Sequence, residues 1–274
     1  MTSTAPLALP ALHDFIAPDG WSAIDFISDI HLAADMPHTR DAWVAYLGST
    51  TADAVLILGD LFDAWVGDDA RLEGFEAQCA DVLRAAASRR RIGFMVGNRD
   101  FLLGPAMLAD CGLVALPDPT LLQAFGERVL LVHGDALCLA DTEYQRFRAM
   151  VRSPQWQAMA LALPLAARRA HAAQMRHASE QRNAQGLLPV DAADIDGETA
   201  LAWMREAGAT VLVHGHTHRP GSAPLAPGFI RHVLTDWDLD HDRATARAGV
   251  LRLTREGFAR LTLSQASEPA SYRP

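Results

Sequence analysis

The sequence predicts an α/β fold, and three observations carry that expectation. Short apolar runs alternate with longer segments whose apolar residues recur at helical spacing. Each of the main runs ends abruptly in aspartate, asparagine or histidine. Past residue 220 the chain turns β-rich.

Residues 1–20 contain Pro6, Pro10 and Pro18 without periodicity and are expected to form a loosely ordered extension, leaving 21–274 as a single domain. The first strand reads Ile24-Asp25-Phe26-Ile27-Ser28 and delivers Asp29 and His31. Ala54-Val55-Leu56-Ile57-Leu58 stops at Gly59, so that Asp60 is thrust out of a strand end, with Asp63 close behind. Phe75 to Arg91 reads as a helix because Phe75, Cys79, Val82 and Leu83 share one face. Ile92 to Val96 leads to Gly97-Asn98-Arg99-Asp100, Val129 to Val132 leads to His133-Gly134-Asp135, and Val211 to Val213 leads to His214-Gly215-His216-Thr217-His218. Phe229 to Leu234 reads as a further strand, and Gly249 to Leu253 with Gly257 to Leu263 as a hairpin closing the sheet. The C-terminal ends of strands in such sheets open on a common crevice, so these polar loops are expected to converge.

The segment from Arg146 to Arg182 is different in kind. It holds seven arginines and a single acid, Glu180, in a chain of net charge −9. Trp156, Met159, Leu161, Leu163 and Leu165 give it an apolar side. This composition fits a basic helical insertion at about 142–186, read either as an arginine-solvated face, or as a lid over an anionic, partly apolar ligand or a face for an anionic membrane.

The charge of −9 argues against general nucleic-acid binding, which needs a basic surface. There is no lysine, so every fixed cation is an arginine. Cys79, Cys111 and Cys138 lack metal-ligand spacing and read as buried thiols in a reducing compartment. The start of the chain lacks the features of a signal peptide, and the longest apolar run, Ala158 to Ala167, is interrupted by Pro164 and too short to span a bilayer. The expected location is cytoplasmic, with peripheral membrane association allowed.

Taken singly, each polar strand end has an ordinary structural explanation. Together they supply oxygen and imidazole donors with no thiolate, which suits Mn²⁺, Fe or Zn²⁺ in a catalytic site rather than a structural zinc module. Two metals about 4 Å apart need a bridging ligand, and Asp60 is the candidate.

Asp29-Ile30-His31, Gly59-Asp60-Leu61-Phe62-Asp63, Gly97-Asn98-Arg99-Asp100, His133-Gly134-Asp135 and Gly215-His216-Thr217-His218 resemble, in order, the five blocks of the calcineurin-like metallophosphoesterases. The longer stretches Phe26 to Leu32, Leu58 to Asp69, Gly97 to Gly104 and Gly215 to Pro220 resemble the UDP-2,3-diacylglucosamine hydrolases of lipid A biosynthesis. The resemblance implies a four-layer α/β/β/α sandwich with the helical segment as an inserted lid. It implies two divalent ions, usually Mn²⁺, one held by Asp29, His31, Asp60 and His218 and the other by Asp60, Asn98, His133 and His216. It also implies substrate contacts at Asn98, Arg99, Asp141, Ser179, Asn183 and His216, and cleavage of the pyrophosphate to UMP and 2,3-diacylglucosamine 1-phosphate at the inner membrane. Gly186 stands where the family has a lysine, with Arg182 the nearby cation, and Val96 precedes Gly97 in a block where a histidine is frequent.

Arg99 occupies the position after the asparagine where many relatives carry a histidine acid. Its pKa is too high for proton donation. A phosphate leaving group needs little protonation, so Arg99, Asn98 and His216 are expected to serve pyrophosphate cleavage by a metal-activated water. Asp100 and Asp135 are expected to orient ligand histidines, and His214 to be structural. The competing readings are another calcineurin-like nucleotide pyrophosphatase or phosphodiesterase, and a metal-binding scaffold without catalysis.

Overall fold

The computed structural model describes residues 7–184, 194–242 and 244–268, with backbone alone for 177–184. The first part of the chain forms β1 (His13–Ile16), β2 (Ala23–Ile27), α1 (Pro37–Ser49), β3 (Ala54–Leu58), α2 (Gly74–Ala87), β4 (Arg91–Met95), α3 (Pro105–Cys111) and β5 (Val114–Ala115). β6 (Thr120–Ala124) and β7 (Glu127–Leu131) follow as a hairpin, then the inserted helices α4 (Thr142–Val151), α5 (Pro154–Leu161) and α6 (Leu165–Ala184). After α7 (Gly197–Ala207) come β8 (Val211–His214), β9 (Gly221–Ala226), β10 (Phe229–Val233), β11 (Val250–Thr254), β12 (Gly257–Leu261) and α8 (Leu263–Ala266).

The strands make two six-stranded mixed sheets, ordered β12-β11-β2-β3-β4-β5 and β1-β6-β7-β8-β10-β9. β2, β3 and β4 run parallel, as do β7 and β8, so their polar C-terminal loops emerge together. The continuous apolar runs follow from burial on both faces. Ile24, Phe26, Leu56 and Leu58 pack between the sheets against Leu122, Val129, Leu131 and Val213, whereas Ile27, Val55 and Ile57 face the helical layer containing Trp43, Leu47 and Leu83. On the far side Leu130 and Leu212 pack against Trp203 and Met204 of α7. The result is helix, sheet, sheet, helix. The hairpin expected at the C-terminus is β11–β12, which joins β2 through β11.

The start of the chain corrects the expectation of a loose extension through residue 20. His13 to Ile16 pair in parallel with Thr120 to Gln123 as an edge strand, and the Trp203 indole donates to Leu7 O at 2.7 Å. Phe15 and Trp21, with ring centroids 6.2 Å apart, close one end of the inter-sheet core.

The inserted helices bear on the same loops. In α6, Arg168 donates to Val66 O at 2.5 Å and makes a two-pronged bond to Asp69. Arg169 reaches Glu73 and Glu76 at 2.8 and 3.3 Å, and Arg176 reaches Asp63 at 2.6 Å. In α4, Arg148 lies 2.8 Å from Asp135, and Arg152, just past its C-terminus, donates to Gly97 O at 3.0 Å. The local excess of arginine is thus largely the complement of acids elsewhere in the chain. Met150, Met159, Leu161, Leu163 and Met175 remain exposed on this insertion. Among the described residues no helix is long and apolar enough to cross a membrane.

Candidate metal centre

The loops after β2, β3, β4, β7 and β8 place Asp29, His31, Asp60, Asn98, His133, His216 and His218 around one point. Donor atoms of Asp29, His31 and His218 lie within 4.8 Å of one another, as do those of Asp29, Asp60 and His133. His133 Nε2 is 3.7 Å from Asp60 Oδ1 and 2.9 Å from Asn98 Oδ1, which is also 2.8 Å from His216 Nδ1. His31 Nε2 and His218 Nε2 face each other at 3.3 Å.

Local backbone geometry aims these groups. Asp29, His31, Asp60, His216 and His218 all have φ between 51° and 64°, the left-handed region that residues with a Cβ enter at a cost. Backbone donors hold the turns. Asp29 accepts His216 N–H at 2.9 and 3.0 Å, Asp60 Oδ1 accepts Arg99 N–H at 2.8 Å, and the Ser28 hydroxyl donates to Asp29. Gly97 lies so close to Asp60 that a Cβ there would fall 2.1 Å from Asp60 Oδ1.

Asp100 ties two of these loops together rather than orienting a histidine, as the sequence led us to expect. It accepts N–H from Gly97 at 2.7 Å, Leu61 at 2.8 Å and Asp60 at 3.3 Å. Asp135 likewise bonds the Tyr144 hydroxyl at 2.6 Å and Arg148, not an imidazole. His133 is oriented instead by its Nδ1–H, which donates to Leu58 O at 2.8 Å and turns Nε2 inward.

The electrostatics call for a cation. Burial pushes Asp60 up to about 7, the nearby Asp100 and Asp29 carboxylates adding to it against the attraction of His133. Burial opposes charge on His133 too, yet Asp60, Asp135 and Asp29 raise it to about 9. Desolvation drives His31 down to about 3 and His216 to about 4. His31 Nδ1 is buried without a hydrogen-bond partner among the described residues. Converging carboxylates with the neutral imidazoles of His31 and His216, and no sulfur, are a donor set suited to a divalent metal. All three cysteines are buried elsewhere.

A sequence profile of the calcineurin-like phosphoesterases matches residues 22–220. The UDP-2,3-diacylglucosamine hydrolase of Bordetella parapertussis is 41% identical over 238 residues, covering 84% of this chain and 91% of its own. The enzyme of that name from Chromobacterium violaceum is 43% identical over 245 residues, covering 88% and 99%. The chain belongs to the UDP-2,3-diacylglucosamine hydrolase family of calcineurin-like phosphoesterases. Among solved structures, the phosphoesterase Yfce from E. coli aligns at 16% identity with a TM-score of 0.42, over 89% of this chain and 94% of that one.

This metal-dependent hydrolase sets its charged groups at the strand ends. Arg99 lies next to Asn98 in the same loop. Asp141 caps α4, its Oδ1 accepting Tyr144 N–H at 3.0 Å. Ser179 and Asn183 lie in α6 with side chains outside the described residues, as do Arg182's side chain and all of Gly186. His214 is structural. Its Nε2 accepts from Arg231 at 2.8 Å, leaving Nδ1–H to donate to Gly215 O at 2.7 Å. Two neighbours of the centre escaped the sequence reading. Tyr144 stacks on His216 with centroids 5.9 Å apart, and Asp236 lies 3.4 Å from His218 Nδ1. Tyr144 lies in the helical insertion, outside the strand-end blocks, whereas Asp236 follows the Phe229 to Leu234 run and carries the same strand-end signal outside the five blocks.

Proposed function

We propose that the chain hydrolyses the pyrophosphate bond of UDP-2,3-diacylglucosamine, giving UMP and 2,3-diacylglucosamine 1-phosphate in lipid A biosynthesis. The observation that carries this reading is identity of 41–43% spread over nearly the full length of relatives bearing that name. The donor set at the strand ends supports it.

In this proposal two divalent ions, Mn²⁺ by preference, are held by Asp29, His31, Asp60 and His218 and by Asp60, Asn98, His133 and His216, with Asp60 shared. Such ions supply Lewis-acid charge that acidifies a water and draws charge from phosphoryl oxygens. Arg99 clamps the diphosphate with a fixed positive fork and does not act as an acid. Asn98 and His216 complete the contacts to the reacting phosphate. Asp141, Ser179 and Asn183 are assigned to the sugar nucleotide.

The helical insertion is the proposed lid. A cavity of about 400 Å³ between α6 and the loop after β3 is lined by Asp63, Ala64, Val66, Glu76, Arg169 and Ala172, among others, a mixture suited to an amphiphile. The exposed methionines and leucines of α4 to α6 are the proposed contact with the inner membrane from the cytoplasmic side, because the arginines described on these helices are mostly engaged with the chain's own acids.

The test is Mn²⁺-dependent hydrolysis of UDP-2,3-diacylglucosamine in ¹⁸O water, with metal counted per chain. Label in UMP and two metals are expected. No turnover would remove the assignment, and a single metal at full activity would remove the shared role of Asp60. Faster turnover of non-acylated UDP-sugars would favour a general nucleotide pyrophosphatase.

A further inference from the structure

At the end of the first sheet opposite the metal centre, a cavity of about 620 Å³ opens where α2 turns into β4. The metal-centre residues follow the C-terminal ends of β2 to β4, whereas Asp53 and Arg90 in this wall precede β3 and β4. Arg89, Arg90 and Arg91 line it together with Thr51, Trp21 and Asp53.

These arginines lack the partners that others in the chain have. Acids outnumber fixed cations 33 to 24, yet among the described residues none of the three has a carboxylate within 4.0 Å. Among the described residues the Arg89 side chain has one hydrogen bond, a 3.4 Å contact to Gly48 O. Arg90 Nε and Nη1 are buried with no acceptor among the described residues. A guanidinium stays charged when buried, so its donors require acceptors. Asp25, the buried acid whose field reaches Arg90, is already engaged by Arg252 at 2.7 and 2.9 Å, Tyr46 at 3.0 Å and Thr50 at 2.7 Å. Asp53, the carboxylate on the cavity wall, turns Oδ2 to the N–H groups of Ser22 and Ala23 at 2.6 and 3.1 Å.

We propose that this cavity is a second anion site, binding a small phosphate-class oxyanion through Arg90, with Arg89 and Arg91 at its rim. A tetrahedral oxyanion accepts several charge-assisted donors at once, and three adjacent guanidiniums supply the donors and charge to hold it. The site is separate from the metal centre and independent of the reaction proposed there.

The experiment is calorimetric titration of inorganic phosphate into the full, metal-loaded chain, alongside Arg90→Gln and Arg91→Ala. Wild type is expected to show two binding events, one at the metal centre and one that is lost in Arg90→Gln while turnover is retained. Arg91→Ala, at the exposed rim, should weaken that second event on the order of tenfold and covers the case in which Arg90→Gln fails to fold. Phosphate should also raise the melting temperature of wild type by an increment that Arg90→Gln lacks. Identical isotherms for wild type and both variants would overturn the proposal, as would loss of all phosphate binding on chelating the metal. Vesicles of phosphatidylglycerol distinguish a lipid headgroup from a free ion, and vesicle binding that depends on Arg90 without any phosphate binding would overturn the free-ion assignment.

Discussion

Alanine at Gly97 would disturb the metal centre without removing a single donor. Its Cβ would lie 2.1 Å from Asp60 Oδ1 and 2.5 Å from Asp60 N, where contacts under 3.0 Å essentially never occur, so something must move by about 0.9 Å. The loops cannot simply part, because the Asp100 carboxylate holds both Gly97 N–H, at 2.7 Å, and Asp60 N–H, at 3.3 Å. Either Asp60 or the Asn98 loop is therefore displaced. A misplacement of about 1 Å costs on the order of 100-fold in rate. Gly97→Ala is expected to lower kcat by about that factor, with reduced metal content and a preserved fold. UMP release at saturating Mn²⁺, metal analysis and circular dichroism supply the three readouts. Gly48→Ala is the control: this exposed α1 position has nothing within 4 Å of its Cβ, and alanine there should leave turnover unchanged and add up to about 1 kcal/mol of stability. Wild-type turnover and metal content in Gly97→Ala would refute the argument.

Arg168→Ala should loosen the proposed lid. Arg168 is 7% exposed, and its loss strips the buried Val66 carbonyl of a donor, at a cost of about 1–3 kcal/mol, while the half-exposed Asp69 rehydrates. A drop of several degrees in melting temperature and a raised KM for the diacylated substrate, with little change for a non-acylated UDP-sugar, are expected; equal changes for both would detach α6 from acyl recognition. His232 gives the pH dependence. Burial, with help from the Arg260 cation, pushes it down to about 4, against roughly 6.5 when unfolded. The unfolded chain therefore binds the extra proton first, and this contribution is intact above pH 6.5 and lost as pH falls toward 4, up to about 3 kcal/mol. His232→Gln should flatten urea midpoints between pH 4.5 and 7.5; an unchanged slope would sink the attribution.

Much of the fold was legible because both sheets are covered on both faces. Burial at every position of β2 and β3 demands unbroken apolar runs, and their sudden end in Asp29 or Asp60 marks the crevice. β1 was not legible. As an edge strand it commits mainly Phe15 to the core, and one aromatic among prolines carries no periodicity. The arginines of the insertion were visible as a charge run, but their partners were not. Asp69 pairs with Arg168 across 99 residues and Asp63 with Arg176 across 113, so only the tertiary arrangement tells an ion-paired clamp from a solvated or membrane-facing surface.

The same reasoning clarifies why the stretch around Asp60 is so confined. Left-handed φ at five aspartates and histidines costs on the order of 1 kcal/mol or more each, a sum comparable with the whole stability of an ordinary domain. Glycine at these positions would remove the strain and also the donors. The strain persists because neighbouring groups fix each turn: Asp60 O receives the N–H groups of Ile30 and His31 at 2.9 and 3.1 Å, Asp100 gathers Gly97 and Leu61, and Asp29 receives His216. Apart from the Asp100–Gly97 bond, which closes the loop after β4 on itself, each anchoring bond joins loops from different strands. The centre is therefore assembled only once both sheets have packed, and the two motif residues with the least obvious chemistry, Gly97 and Asp100, carry as much of its geometry as the donors themselves.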